Sequence, residues 1–170
     1  IPKYGKTALL FISQSGETKD LHRCIEIGKN HNLFLLGIVN VVDSLIAREV
    51  YCGCYLNAGR EVGVASTKAY TSQVIVLSLI SIWFAQIHNI NINKLIKYIH
   101  DIIQLSNDIK HTLEYTDEKI DQLIQSVFLK TTNCFLLGKG KSEPVAREAS
   151  LKIKEITYIH SEGYSTSSLK

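Results

Sequence analysis

Two groups of side chains in this 170-residue sequence have types and spacing that could do chemistry. The first is Ser13-Gln14-Ser15-Gly16-Glu17-Thr18, where three hydroxyls, an amide and a glycine fall within six residues. Hydroxyls and unpaired backbone N–H groups are donors, so such a loop could hold a small anion, most naturally a phosphate. The second is Lys152 with Glu155 three residues on, and Glu148 one turn before. On a helix these three share a face. A carboxylate beside an ammonium can serve as a general base with its partner cation if that face lines a cleft. Each group also has a plainer reading. Ser or Thr ahead of a helix is an ordinary cap, and the Ser and Glu spacing is close to a capping box. Glu148, Lys152 and Glu155 read equally well as a salt-bridge stripe on a solvated helix.

The elements that would position the first group flank it. Ala8-Leu9-Leu10-Phe11-Ile12 is a short, bounded apolar run and reads as a buried parallel strand. Asp20 to Asn30 has helical periodicity, with Leu21, Cys24, Ile25 and Gly28 on one face. The hexapeptide therefore sits at the C-terminal end of a strand, where open α/β sheets place their ligands. Leu33 to Val42 and Val50 to Leu56 read as further strands, with a short helix from Ser44 to Glu49 capped by Asp43 or Ser44. Asn57 to Val64 is a Gly-punctuated loop; Arg60, Glu61 and, beyond it, Lys68 could be ligand contacts, with Glu61 and Lys68 read as structural or rim residues. A long helix then runs to about His88. Its apolar middle, Val74 to Ala85, reads as a buried core or interface helix too short to cross a bilayer. Asn93 to His111 and Asp117 to Phe128 read as two helices of a connector. Asn133 to Leu137 is another strand, leading through Gly138-Lys139-Gly140-Lys141-Ser142-Glu143 into a helix that begins at Pro144 and runs to about His160. Strand, loop and helix at residues 8–30 thus recur at 133–160, as in two related α/β units. His160 reads as structural.

Composition narrows the function classes. Apolar residues at 45% and charged residues at 21% describe a globular chain rather than a disordered one. Lys and Arg are scattered and the formal net charge is only +3, so nucleic acid is not an expected partner, and neither is a membrane. Cys24, Cys52, Cys54 and Cys134 form no Cys-x-x-Cys pair and no zinc-ligand spacing with His. They read as free thiols in a reducing, cytoplasmic compartment, and no metal is expected. The sequence opens on Ile1 and contains no Met, so a piece of a longer protein is expected.

Three stretches, in order, resemble the isomerase half of the glutamine–fructose-6-phosphate aminotransferases, which is built from sugar isomerase (SIS) domains. They are Phe11 to Thr18, Asn57 to Tyr70, and Ala149 to His160. The first is shared by many SIS proteins; the second and third together are specific to the aminotransferases. The resemblance implies a flavodoxin-like α/β/α sandwich around a parallel sheet. It implies a first SIS domain over 1–92 lacking its first strand, a helical connector over 93–131, and the beginning of a second SIS domain over 132–170. It gives Ser13, Gln14, Ser15 and Thr18 the sugar phosphate, makes Val64 and Ser66 pocket residues, and makes Glu155 the base between C1 and C2, with Lys152 a nearby active-site lysine. The implied reaction joins ammonia from glutamine to fructose 6-phosphate and isomerises the product to glucosamine 6-phosphate, without cofactor. The implied partners are a glutaminase domain in the parent chain and a second copy in a homodimer. The family's last stretch continues Gly-Glu-Leu-Lys-His-Gly-Pro, whereas this sequence ends Ser167-Ser168-Leu169-Lys170, with Ser168 in place of the usual Glu. The ring-opening His would follow Lys170, so the segment alone is not expected to turn over. The alternative is a non-catalytic SIS module that senses a phosphosugar.

Overall fold

The computed structural model describes residues 5–168. Ile1 and the closing Leu169-Lys170 lie outside the described residues. The chain divides into two compact units, residues 1–62 with 66–90 and residues 63–65 with 91–170.

In the first unit, β1 (Ala8–Ser13), β2 (Phe34–Val39) and β3 (Cys52–Tyr55) form a parallel sheet in the order β1-β2-β3. Strand side chains alternate between faces, and here each face has its own core. Leu35 and Val39 of β2 join Phe11 of β1, with Ile25 from α1 (Lys19–Asn30) and Ile46 from α2 (Leu45–Glu49). Ile38 points the other way, to Leu56 and to Ala69 of α3 (Lys68–Ile87), with Val76, Leu77 and Ile80 packed around them. Helices therefore cover both faces, giving the three-layer α/β/α arrangement expected of a buried parallel sheet. At Gly53 an added Cβ would lie 1.9 Å from the Gly37 carbonyl oxygen, so β3 can approach β2 only as glycine.

α3 departs from expectation. Ala69 and Ile82 are buried, but Val74, Leu79, Trp83, Phe84 and Ile87 are exposed. The helix packs one stripe on the sheet instead of being buried all round. Its 20 residues are also long and apolar enough, by length and composition alone, to cross a membrane. The helix nonetheless lies on the sheet as a domain element.

In the second unit α4 (Ile92–Ser126) is one unbroken 35-residue helix, not two. The stretch Thr112-Leu-Glu-Tyr-Thr116 contains no Gly or Pro, and the hydroxyls of Thr112 and Thr116 donate to the carbonyls of Asp108 and Thr112, four residues back. That satisfies the polar side chains without interrupting the helix. β4 (Asn133–Gly138) leads to α5 (Ser142–Thr157), which ends before His160. Tyr158 takes the left-handed conformation at φ 61° and the Thr157 hydroxyl accepts from Ile159 N–H. The chain then turns into β5 (His160–Ser165), parallel to β4 in full register from Asn133–His160 to Gly138–Ser165. This unit therefore holds two strands, where the sequence suggested one. Ser150 Oγ donates to Ser161 O at 2.8 Å, and a Cβ at Gly163 would lie 2.6 Å from Arg147 Cα, so α5 sits directly on β5.

Candidate functional site

The loop after β1 begins from a fixed point. Ser13 is the last residue of the strand and is buried. Its Oγ accepts the Gly16 N–H at 3.0 Å and lies 3.0 Å from Thr18 Oγ1. Ser15 Oγ accepts the Glu17 N–H at 3.2 Å, which leaves the hydroxyl proton of Ser15 for a ligand. Gly16 makes the turn at φ 68°, a conformation side chains rarely adopt.

The capping interpretation of this loop does not hold in its simple form. Thr18 is the N-cap of α1, yet its side chain makes no capping bond, being engaged with Ser13. Glu17 does not close a capping box on α1 either. Its Oε1 accepts the Leu45 N–H at 2.8 Å, at the first residue of α2, twenty-eight positions away. Ser44, one of the two caps expected for α2 and the one at its N-cap position, makes no capping bond. The opening of α1 therefore keeps the dipole and donors that favour an anion, beside loop hydroxyls not spent on its cap.

The neighbouring loops are tied to this one through Asn40. The Asn40 N–H donates to Gln14 O at 3.3 Å, its Nδ2 to Gly59 O at 2.7 Å, and its Oδ1 accepts the Ala58 N–H at 3.0 Å. One residue thus links the C-terminal ends of all three strands. Glu61 Oε1 accepts the Thr67 N–H at 2.6 Å, which makes it a brace for the entry to α3. Ser66 is half-buried just before α3, while Val64 is 95% exposed and falls in the second unit.

Glu148, Lys152 and Glu155 come together on α5 as the spacing requires. Lys152 Nζ lies 3.0 Å from Glu155 Oε2 and 3.4 Å from Glu148 Oε1. Its side chain is 19% exposed, well below a typical surface lysine. Burial alone would lower the Lys152 pKa. The hydrogen bond to Glu155 and the charges of Glu148 and Glu155 outweigh it, and the net shift is upward. Lys152 is therefore a fixed cation at neutral pH, suited to steering negative charge rather than to taking up a proton. Behind this face, Lys154 Nζ pairs with Glu162 Oε1 at 3.0 Å and joins α5 to β5. His160 is exposed at the start of β5.

All four cysteines are free, and burial pushes the Cys54 thiol up. Among the described residues no group of His, Cys, Asp and Glu could hold a metal.

Sequence reasoning singles out the hydroxyls but misses Glu17 and Asn40 as the residues that hold them. Both bonds span long stretches of chain, so no local pattern announces them. A carboxylate inside a loop that looks built for anions was the one available signal.

Residues 5–82 match the SIS domain model. Over those residues the chain has the SIS fold. The whole chain aligns at 45% identity with 28% of the Acanthamoeba polyphaga mimivirus protein named "Probable glutamine--fructose-6-phosphate aminotransferase [isomerizing]". It aligns at 39% identity, over 99% of its length, with 23% of the Saccharomyces cerevisiae protein of the corresponding name. The chain thus spans about a quarter of the length of these curated relatives. Among solved structures, the C-terminal domain of the Francisella tularensis glucosamine-fructose-6-phosphate aminotransferase superposes with a TM-score of 0.90. That match has 35% identity and covers 95% of this chain and 46% of that one. Thermotoga maritima glucosamine-6-phosphate deaminase, at 22% identity and a TM-score of 0.69, shares the fold over 98% of this chain and 48% of that one.

Proposed function

We propose that this chain is the isomerase-domain segment of an aminotransferase that joins glutamine-derived ammonia to fructose 6-phosphate and yields glucosamine 6-phosphate. The observation that carries the reading is the alignment of the entire chain, at 45% identity, onto one part of such a protein. On this reading residues 1–92 are a first SIS domain, 93–131 a helical connector, and 132–170 the beginning of a second. Ser13, Gln14, Ser15 and Thr18 hold the sugar phosphate at the N-terminus of α1, away from the reacting carbons, so that the grip orients the substrate. Val64 and Ser66 border the sugar. Glu155 moves the proton between C1 and C2, and Lys152 supplies positive charge beside it. The parent protein carries a glutaminase domain, acts in the cytoplasm and pairs with a second copy.

The support from geometry is specific to the phosphate. The loop has a free hydroxyl proton at Ser15 and a helix opening whose N-cap side chain is turned elsewhere. Titration calorimetry of the chain with fructose 6-phosphate and with fructose tests it. The reading predicts binding of the phosphate ester that Ser15→Ala weakens by roughly tenfold or more, as for a lost hydrogen bond to a charged group. Equal affinity for the two sugars would remove the phosphate from the account.

A further inference from the structure

A carboxylate in an anion-receiving loop is an electrostatic liability, because a like charge near the ligand opposes its binding. Glu17 sits in the middle of that loop, and its side chain is not idle. Oε1 accepts the Leu45 N–H at 2.8 Å, while the next amide, Ile46 N–H, donates to the Gly16 carbonyl at 2.9 Å. Ser44, only 3% exposed, fills the space behind Gly16; a methyl group there would lie 2.0 Å from its Oγ. Three consecutive residues, Ser44, Leu45 and Ile46, thus grip two consecutive loop residues, Gly16 and Glu17.

The grip is anchored. α2 has only five residues, too few to be stable as a helix by itself. It is held by Ile46, fully buried among Phe11, Ile25, Leu35 and Val39. Position is therefore passed from the core, through Ile46, to the start of α2, and from there to the loop.

We propose that Glu17 is the positioning residue of the Ser13–Thr18 loop: its carboxylate, bound to the Leu45 N–H, holds the loop in its anion-receiving shape and does not itself contact the anion. This rests on the phosphate reading of the loop. It also explains why an acidic residue stands there. The capping bond at α2 supplies more to binding, through loop shape, than the negative charge removes.

The two effects have opposite signs, which makes the proposal testable. If Glu17 acted only as a charge, Glu17→Ala would tighten anion binding. As a brace, its loss loosens the loop, and Glu17→Ala should weaken binding of fructose 6-phosphate and of inorganic phosphate by roughly tenfold, the scale of a lost helix cap. Glu17→Gln keeps an oxygen for the Leu45 N–H and removes the charge, so it should bind at least as tightly as the wild type. Glu17→Asp, one methylene short, should fall with Ala, and serves in its place should Glu17→Ala not fold. Titration calorimetry of the full chain gives the affinities, and hydrogen exchange at the Leu45 and Ile46 amides reports the brace directly. Faster exchange at Leu45 in Glu17→Ala but not in Glu17→Gln, together with the affinity order Gln, wild type, Ala, supports the proposal. Unchanged Leu45 protection, or a Glu17→Ala affinity equal to or above wild type, overturns it. Should the wild type bind neither phosphate ligand, the phosphate reading fails, and the brace then stands or falls on Leu45 and Ile46 protection alone.

Discussion

The two units each contain a parallel strand, a glycine-bearing loop and a helix, yet the two loops are closed differently. After β1, Ser13 to Thr18 bond among themselves through side chains, and the opening of α1 has no side-chain cap. After β4 the turn is closed by backbone alone. Ser142 N–H donates to Lys139 O at 3.1 Å, and Glu143 N–H to Gly140 O at 3.2 Å. A Cβ at Gly138 would lie 2.2 Å from Ser142 O, so the start of α5 is pressed against the end of β4. Pro144 brings no N–H to this first turn, and Glu143 is paired with Arg147 at 2.8 Å. The second loop therefore lacks a side-chain network of its own, although the opening of α5, like that of α1, has no side-chain cap. The charged cluster of that unit, Glu148, Lys152 and Glu155, sits further along the helix. The same local topology can thus be closed through side-chain hydroxyls or through backbone bonds.

The largest effect that sharpens this contrast lies on α5. In the full-length parent enzyme, Glu155→Gln should lower turnover by roughly 10²–10⁴-fold, the range for losing a general base. Steady-state kinetics with fructose 6-phosphate checks it, and a near-normal rate removes Glu155 from that role. Next come the glycines. Gly138→Ala forces a methyl group onto backbone and should destabilise the second unit by about 3 kcal/mol, as for an overpacked site, read from denaturant unfolding. Gly16→Ala meets both a left-handed φ and Ser44, and should lower phosphosugar affinity as well as stability. If Gly138→Ala also abolished phosphosugar binding while leaving the fold intact, the division of labour between the loops would be wrong.

The smallest effect concerns pH. The Lys29 ammonium, hydrogen-bonded to Glu49, holds that carboxyl below its ordinary value. A lowered folded pKa contributes stability that is present above the ordinary carboxylate range and is lost as pH falls through the lowered value. The stability gap between wild type and Glu49→Gln should therefore be open at pH 7 and close below about pH 4. A gap that stays constant to pH 3 would show that the pair adds nothing through ionisation.

Much of the fold is legible because buried parallel strands are continuous apolar runs. Residues 8–13, 34–39 and 133–138 announce themselves in that way. Elements that depend on distant partners or on competing propensities do not. Thr112 to Thr116 resembles a break, yet hydroxyl bonds back along the helix carry α4 through it. Helix α5 stops at Thr157 without glycine or proline, because Tyr158 adopts a left-handed conformation that its residue type does not advertise. The apolar middle of α3 cannot say from composition which of its faces is covered. At the candidate site, the cluster Ser13–Thr18 and the stripe Glu148–Lys152–Glu155 can be read from spacing, since both are local. The holding contacts of Glu17 with Leu45 and of Asn40 with Ala58 and Gly59 cannot, since each joins residues about twenty or more positions apart.

The most direct test of the central claim is a crystal structure of this chain soaked with fructose 6-phosphate. The account predicts the phosphate at the N-terminus of α1, within hydrogen-bond distance of the hydroxyls of Ser15 and of Ser13 or Thr18, with the loop after β4 unchanged. Phosphate at the Gly138–Ser142 loop, or none at α1 under saturating ligand, would contradict it.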